Sequence, residues 1–219
     1  MSRIARTRTE RASGLPAPLA RTPFGVLRPS DAEVVYSRPR QEFQRLTERG
    51  VLHKLSTGYY ATVPAHSHDR TWRPSLEAAA YGIAAADYGA QGAVLMGLSA
   101  ARLHGAIPRA LAVAVVAIDR NRPNLTLADR DATVLFVRRD TGRLDAERVS
   151  TDLGAALATT IEQTLLDLAH RPDLGGVTNE AQAAVRALWP RADHDQLEHI
   201  AAERRLRTAL RRARSWVGE

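Results

Sequence analysis

Apolar residues three apart on a polar background form the clearest local pattern in the chain. Within residues 39–49, Phe43 and Leu46 share one face of a helix, while Gln41, Gln44 and Arg45 lie roughly opposite. One face packs and the other is offered. Upstream, PSDAEVV (residues 29–35) carries Ser30 or Asp31 as N-cap of a short preceding helix, and YSRP makes the turn into the second. Downstream, VLHKLSTGYYATV alternates Leu52, Leu55 and Tyr59 or Tyr60 about Ser56-Thr57-Gly58, the pattern of a two-stranded hairpin. Helix, turn, helix and hairpin together predict a winged helix-turn-helix over residues 23–64. Its first helix is the weak element, because Pro16, Pro18 and Pro23 interrupt the segment before Gly25.

Periodicity changes on either side of this unit. Residues 1–22 offer only Ile4, Leu15 and Leu19 for burial among arginines, prolines and small residues, so they read as an arm. The polar AHSHDRTWRP, residues 65–74, reads as a linker. Ser75 is a candidate N-cap for LEAAAYGIAAADY, with Gly89 as its stop. LAVAVVAI (111–118) and TVLFV (133–137) are short and β-branched, as strands buried on both faces are. Thr160 with Gln163 has capping-box spacing before IEQTLLDLA, and Asp193 with Gln196 repeats it before one long C-terminal helix. The fold class is α+β: an N-terminal winged helix-turn-helix, then a mixed α/β domain over residues 75–219.

Charge adds a partner to this picture. Of the net +7, residues 1–74 carry all, with 13 Lys+Arg against 6 Asp+Glu, whereas residues 75–219 hold 18 against 18. A positive field concentrated in the first third of the chain attracts polyanions, nucleic acid first. Composition removes several chemistries. There is no cysteine, hence no disulfide, thiolate metal site or thiol nucleophile. Lys54 is the single lysine and lies outside any phosphate-loop sequence, which excludes Walker-type, Schiff-base and kinase chemistry. Without a signal-peptide core or an apolar run of about 18 residues, a soluble cytoplasmic protein with no membrane partner is expected.

Arginine and glutamine match the major-groove edges of guanine and adenine, so Gln41, Gln44 and Arg45 are candidate base readers. Arg38 and Arg40 at the helix start suit phosphates. His53 and Lys54, facing outward from the hairpin, and Thr57 at its tip complete the candidate DNA surface. The C-terminal run ERRLRTALRRARSW keeps Leu206 and Leu210 on one face. Its Arg204, Arg207, Arg211 and Arg214 suit a second DNA contact, a dock for an acidic toxin surface, or a solvated helix face. His104 before Gly105 reads as a helix end with its ring bonded to a carbonyl. His66, His68 and Asp69 have a conceivable metal spacing but read as a solvated loop, while Glu162 and Asp167 are five apart and diverge. No catalytic residue, cofactor or metal is expected.

Three ordered segments resemble the AbiEi family of bacterial antitoxins: LTERGVLHKLSTGYYATVP (46–64), VLMGLSAARLHGAIP (94–108) and TTIEQTLLDLAHRPDLGG (159–176). The resemblance implies a winged helix-turn-helix followed by an antitoxin domain, encoded with a nucleotidyltransferase-like toxin that the protein counteracts while repressing their shared promoter. Two copies on an inverted repeat follow from that reading. The alternative is a ligand-responsive winged-helix transcription factor without a toxin partner. A nuclease of the kind fused to such modules needs a lysine beside its carboxylates, and residues 75–219 have none.

Overall fold

The computed structural model, which describes residues 14–64, 67 and 72–219, places helices where local start and stop signals coincide. After a single short turn, α1 (Ala17–Ala20), Pro39 opens α2 (Pro39–Glu48) at a first helical position, where its fixed φ costs nothing. Ser75 caps α3 (Leu76–Tyr88) by accepting from the Ala78 amide, and Gly89 at φ 77 ends it. Thr160 caps α5 (Ile161–His170) through the Gln163 amide, and Asp193 caps α7 (His194–Glu203) through the amides of Asp195 and Gln196. The remaining helices are α4 (Leu98–Leu103), α6 (Thr178–Leu188) and α8 (Arg207–Val217).

Among the described residues, nine strands form two sheets. β1 (Val26–Leu27), β2 (Leu52–Ser56) and β3 (Tyr59–Thr62) make an antiparallel sheet in the order β1-β3-β2. The larger sheet runs β6-β7-β5-β4-β9-β8, built from β4 (Ala93–Leu95), β5 (Val113–Ile118), β6 (Leu125–Thr126), β7 (Thr133–Arg138), β8 (Ala146–Thr151) and β9 (Gly154–Thr159). It is mixed: β5 with β7 and β4 with β9 are parallel, and the other neighbours are antiparallel. The protein is therefore α+β, with eight α-helices among the described residues. Every residue of β5 is buried, as its unbroken apolar run requires, whereas β7 is sealed only at Val134 and Val137.

Two expectations are corrected. PSDAEVV forms no α-helix; Pro29–Ala32 is one 3-10 turn, and neither Ser30 nor Asp31 caps it. Asp31 instead sits inside the turn, its carboxylate accepting from the Arg28 amide at 2.9 Å and from the Arg28 guanidinium at 2.7 Å. The single C-terminal helix is two helices, because Arg205 takes a left-handed φ of 58 between them and folds α8 back so that both α7 and α8 pack on α5. The β8–β9 hairpin was not foreseen, since exposed positions on its edge strand blur the period of two.

The cores show how the parts join. Leu15 and Leu19, the apolar residues at the end of the expected arm, pack with Leu27, Phe43, Leu46 and Leu52. Val26, Leu55 and Ala61 belong to the same core as α3 and the large sheet, so the small sheet lies directly on α3. Gly82 is what permits this approach: a Cβ there would meet the Val26 side chain at 2.4 Å. Helices α4 to α8 enclose a further core of Leu165, Leu166, Leu188, Leu197, Ile200 and Leu210 among others. Residues 1–13, and with them most of the expected arm, lie outside the described residues, as do most positions of the expected linker. No helix among the described residues is long and apolar enough to cross a membrane.

Candidate nucleic-acid interface

α2 is locked in rotation by what it buries. Phe43 and Leu46 are sealed, with the Phe43 ring edge-on to Tyr60 at 5.2 Å. The helix ends in a glycine motif: Gly50 at φ 71 donates to the Thr47 carbonyl at 3.0 Å and Val51 to the Leu46 carbonyl at 2.9 Å. Fixed in this way, α2 leaves Arg38, Arg40, Gln41, Gln44 and Arg45 exposed. The β2–β3 hairpin turns through Thr57 and Gly58, the latter at φ 84, and its tip comes back beside the start of α2. Between them lies an open groove of about 910 Å³, lined by Arg38, Arg40, Gln41, Thr57 and Tyr60 and by a floor containing Arg28, Tyr59 and Asp87.

Four of the sequence candidates thus meet in one groove. Arg45 lines an adjoining recess with Arg38 and Gln41, its side chain 70% exposed and paired to Glu42 at 3.3 Å. Gln44 instead points along the helix and donates to Glu48 at 3.2 Å. Lys54 is exposed and sits opposite Tyr60 in the ladder, hence on the α2 side of the hairpin, although it does not line the groove.

His53 is a correction. It pairs in register with Ala61, which belongs to the α3 core, so it faces the large sheet rather than solvent. Its Nε2 lies 2.8 Å from Asp129 Oδ2 and its ring stands edge-on to Trp72. Burial pushes Asp129 up, but hydrogen bonds from Arg130 and His53 outweigh it and leave the carboxyl below its ordinary value. With the Ser56 hydroxyl donating to the Thr126 carbonyl and the Ala128 amide to Leu55, this contact pins the hairpin to the β6–β7 turn.

The groove floor was not visible in the sequence. Arg28 donates to both Asp31 and Asp87, and its proton is held more firmly than usual, chiefly by the Asp31 hydrogen bond. Tyr59 is pushed up to about 12, first by burial and then by its bond to Asp87, so its hydroxyl stays a donor. Only the Arg28–Asp31 spacing is local; Asp87 arrives from chain 59 residues away.

The C-terminal arginines divide. Arg207 and Arg211 are exposed, the latter donating to the Thr208 hydroxyl at 3.3 Å. Arg214 pairs with Glu198. Arg204 is turned inward, its Nε buried without a hydrogen-bond partner, and its charge acts on Asp167. That carboxyl accepts from Gln163 at 3.1 Å, and burial pushes it up to about 7 against the opposing pull of Arg139, Gln163 and Arg204. Glu162 points elsewhere and accepts from the Asp193 amide at 2.9 Å, so the two carboxyls do not form an acid/base pair. His104 bonds the Thr159 carbonyl at 2.8 Å beside its helix end. His66, His68 and Asp69 lie outside the described residues; among those described, no group of three or more His, Asp or Glu is placed to hold a metal.

The family model for the AbiEi antitoxin C-terminal domain matches residues 92–217, which span the large sheet and helices α4 to α8. No curated protein matches the chain. Among solved structures, the RV2827C protein from Mycobacterium tuberculosis is similar, with a TM-score of 0.56 and 21% identity over 88% of this chain and 71% of that one. At that identity the likeness is one of fold.

Proposed function

The chain belongs to the AbiEi antitoxin family, and from that premise we propose that it neutralises a nucleotidyltransferase-like toxin and represses the promoter it shares with that toxin. Residues 23–64 act as a winged DNA-binding unit, with α2 as its recognition helix and the Pro29–Ala32 turn in place of the preceding helix, and the remainder from Ser75 acts as the antitoxin domain, without a catalytic step of its own. α2 enters the major groove, where Gln41 and Arg45 reach base edges; Arg38 and Arg40 hold phosphates beside the helix start, and Thr57 and Lys54 bring the hairpin to the backbone. Two copies occupy the half-sites of an inverted repeat. Arg207 and Arg211 remain free for a second stretch of duplex or an acidic toxin surface.

The observation that carries this reading is the groove, in which an outward Arg/Gln helix face and a hairpin tip converge. A gel-retardation assay with the DNA immediately upstream of the gene tests it. Retardation at low salt is expected, with Gln41→Ala and Arg45→Ala each weakening binding by about 1–3 kcal/mol and Arg40→Ala lowering the salt slope by about one. No retardation, or retardation indifferent to all three changes, removes the DNA reading. Co-expression with the neighbouring gene tests the antitoxin role: growth should be restored by this chain and not by an empty vector.

A further inference from the structure

Beneath the groove, one carboxylate ties together stretches that are distant in sequence. Asp87 lies in the last turn of α3, where the helix dipole disfavours a negative charge, so its placement needs compensation from elsewhere. The compensation comes from three side chains. Asp87 Oδ1 accepts from Arg28 Nη1 at 2.7 Å; Oδ2 accepts from the Tyr59 hydroxyl at 2.6 Å and forms an ion pair with Arg122 Nη1 at 2.7 Å. Arg122 also donates through Nη2 to the Tyr59 hydroxyl at 2.9 Å, and its guanidinium is braced on the Phe136 ring at 4.1 Å. Tyr59 directly follows the Thr57–Gly58 turn, and Arg28 directly precedes the 3-10 turn that leads to α2. The Asp87 side chain is only 16% exposed, yet Asp87, Arg28 and Tyr59 all line the groove.

We propose that Asp87 is a positioning residue for the groove: from α3 it fixes the hairpin tip and the lead into α2 at a set separation. The spacing of Thr57 from Arg38, Arg40 and Gln41 then depends on a residue outside the N-terminal unit. The consequence for duplex binding rests on the DNA reading above; the consequence for the hairpin does not. Coulomb's law alone gives the opposite sign for binding, since deleting a carboxylate from a surface that meets a polyanion tightens the complex. Positioning requires that the deletion weaken it.

The test uses the full chain carrying Asp87→Asn, Asp87→Ala or Tyr59→Phe, with two readouts. Without DNA, amide exchange of residues 52–62 should quicken about tenfold in Asp87→Ala while α5, in a separate core, keeps its protection. With the upstream duplex, Asp87→Ala should bind about tenfold more weakly, Asp87→Asn should lose less, and adding Tyr59→Phe to Asp87→Ala should cost less than the two changes apart. Unchanged hairpin exchange in both Asp87 variants, or tighter duplex binding by Asp87→Asn, overturns the proposal. If the wild-type chain fails to bind the duplex, the DNA reading falls, and hairpin exchange alone decides the role of Asp87.

Discussion

Phe43→Ala is expected to cost about 3–5 kcal/mol and to loosen α2 before the rest of the molecule. The ring is completely buried in a small core with Leu15, Leu19, Leu27, Leu46 and Leu52, and it meets Tyr60 edge-on. So small a core has few neighbours able to move into the space an aromatic ring leaves. Moreover, Phe43 sets the helix rotation that turns Gln41 and Arg45 outward, so stability and duplex binding should fall together. Urea titration followed by circular dichroism measures the first, and retardation of the promoter fragment the second. A variant that unfolds at the wild-type midpoint would show that Phe43 does not hold the helix.

Asp167 should make stability depend on pH. Its carboxyl is fully enclosed and pushed from 3.8 to about 7, so the folded chain holds a proton there that the unfolded chain releases near pH 4. For an acid raised in this way, the contribution is complete below the unfolded value and is lost as pH rises through about 4 to 7. The full loss is about 4 kcal/mol. Asp167→Asn keeps the shape and an acceptor for Gln163 but cannot ionise, and should abolish the decline. His170, lowered by burial and by Arg139, Arg171 and Arg212, contributes the opposite slope, so the difference between wild type and Asp167→Asn isolates the carboxyl. Urea midpoints at pH 5 and pH 8 decide it: wild type should lose stability between them and the variant should not.

What could be foreseen and what could not divides along sequence distance. The rotation of α2, the glycine stop at Gly50, the Thr57–Gly58 turn and the caps at Ser75, Thr160 and Asp193 are each written within a few residues, and each is found in place. The groove floor is not, because Arg28 and Asp87 are 59 residues apart and no local pattern joins them. His53 is instructive. Alternation correctly set it away from the Leu52 side of the hairpin, but the other side meets Asp129, 76 residues on, and not water. The break between α7 and α8 was hidden for another reason: a left-handed backbone at Arg205, with no glycine to announce it, leaves the helical pattern of arginines and leucines intact.

Contact between the promoter duplex and the exposed face of α2 with the hairpin tip is read most directly by the hydrogen-exchange footprint of that duplex on the chain. Added protection confined to residues 38–45 and 54–60, diminishing with salt, is expected. Protection confined to α8, or to the large sheet, with those two segments unchanged, would contradict it.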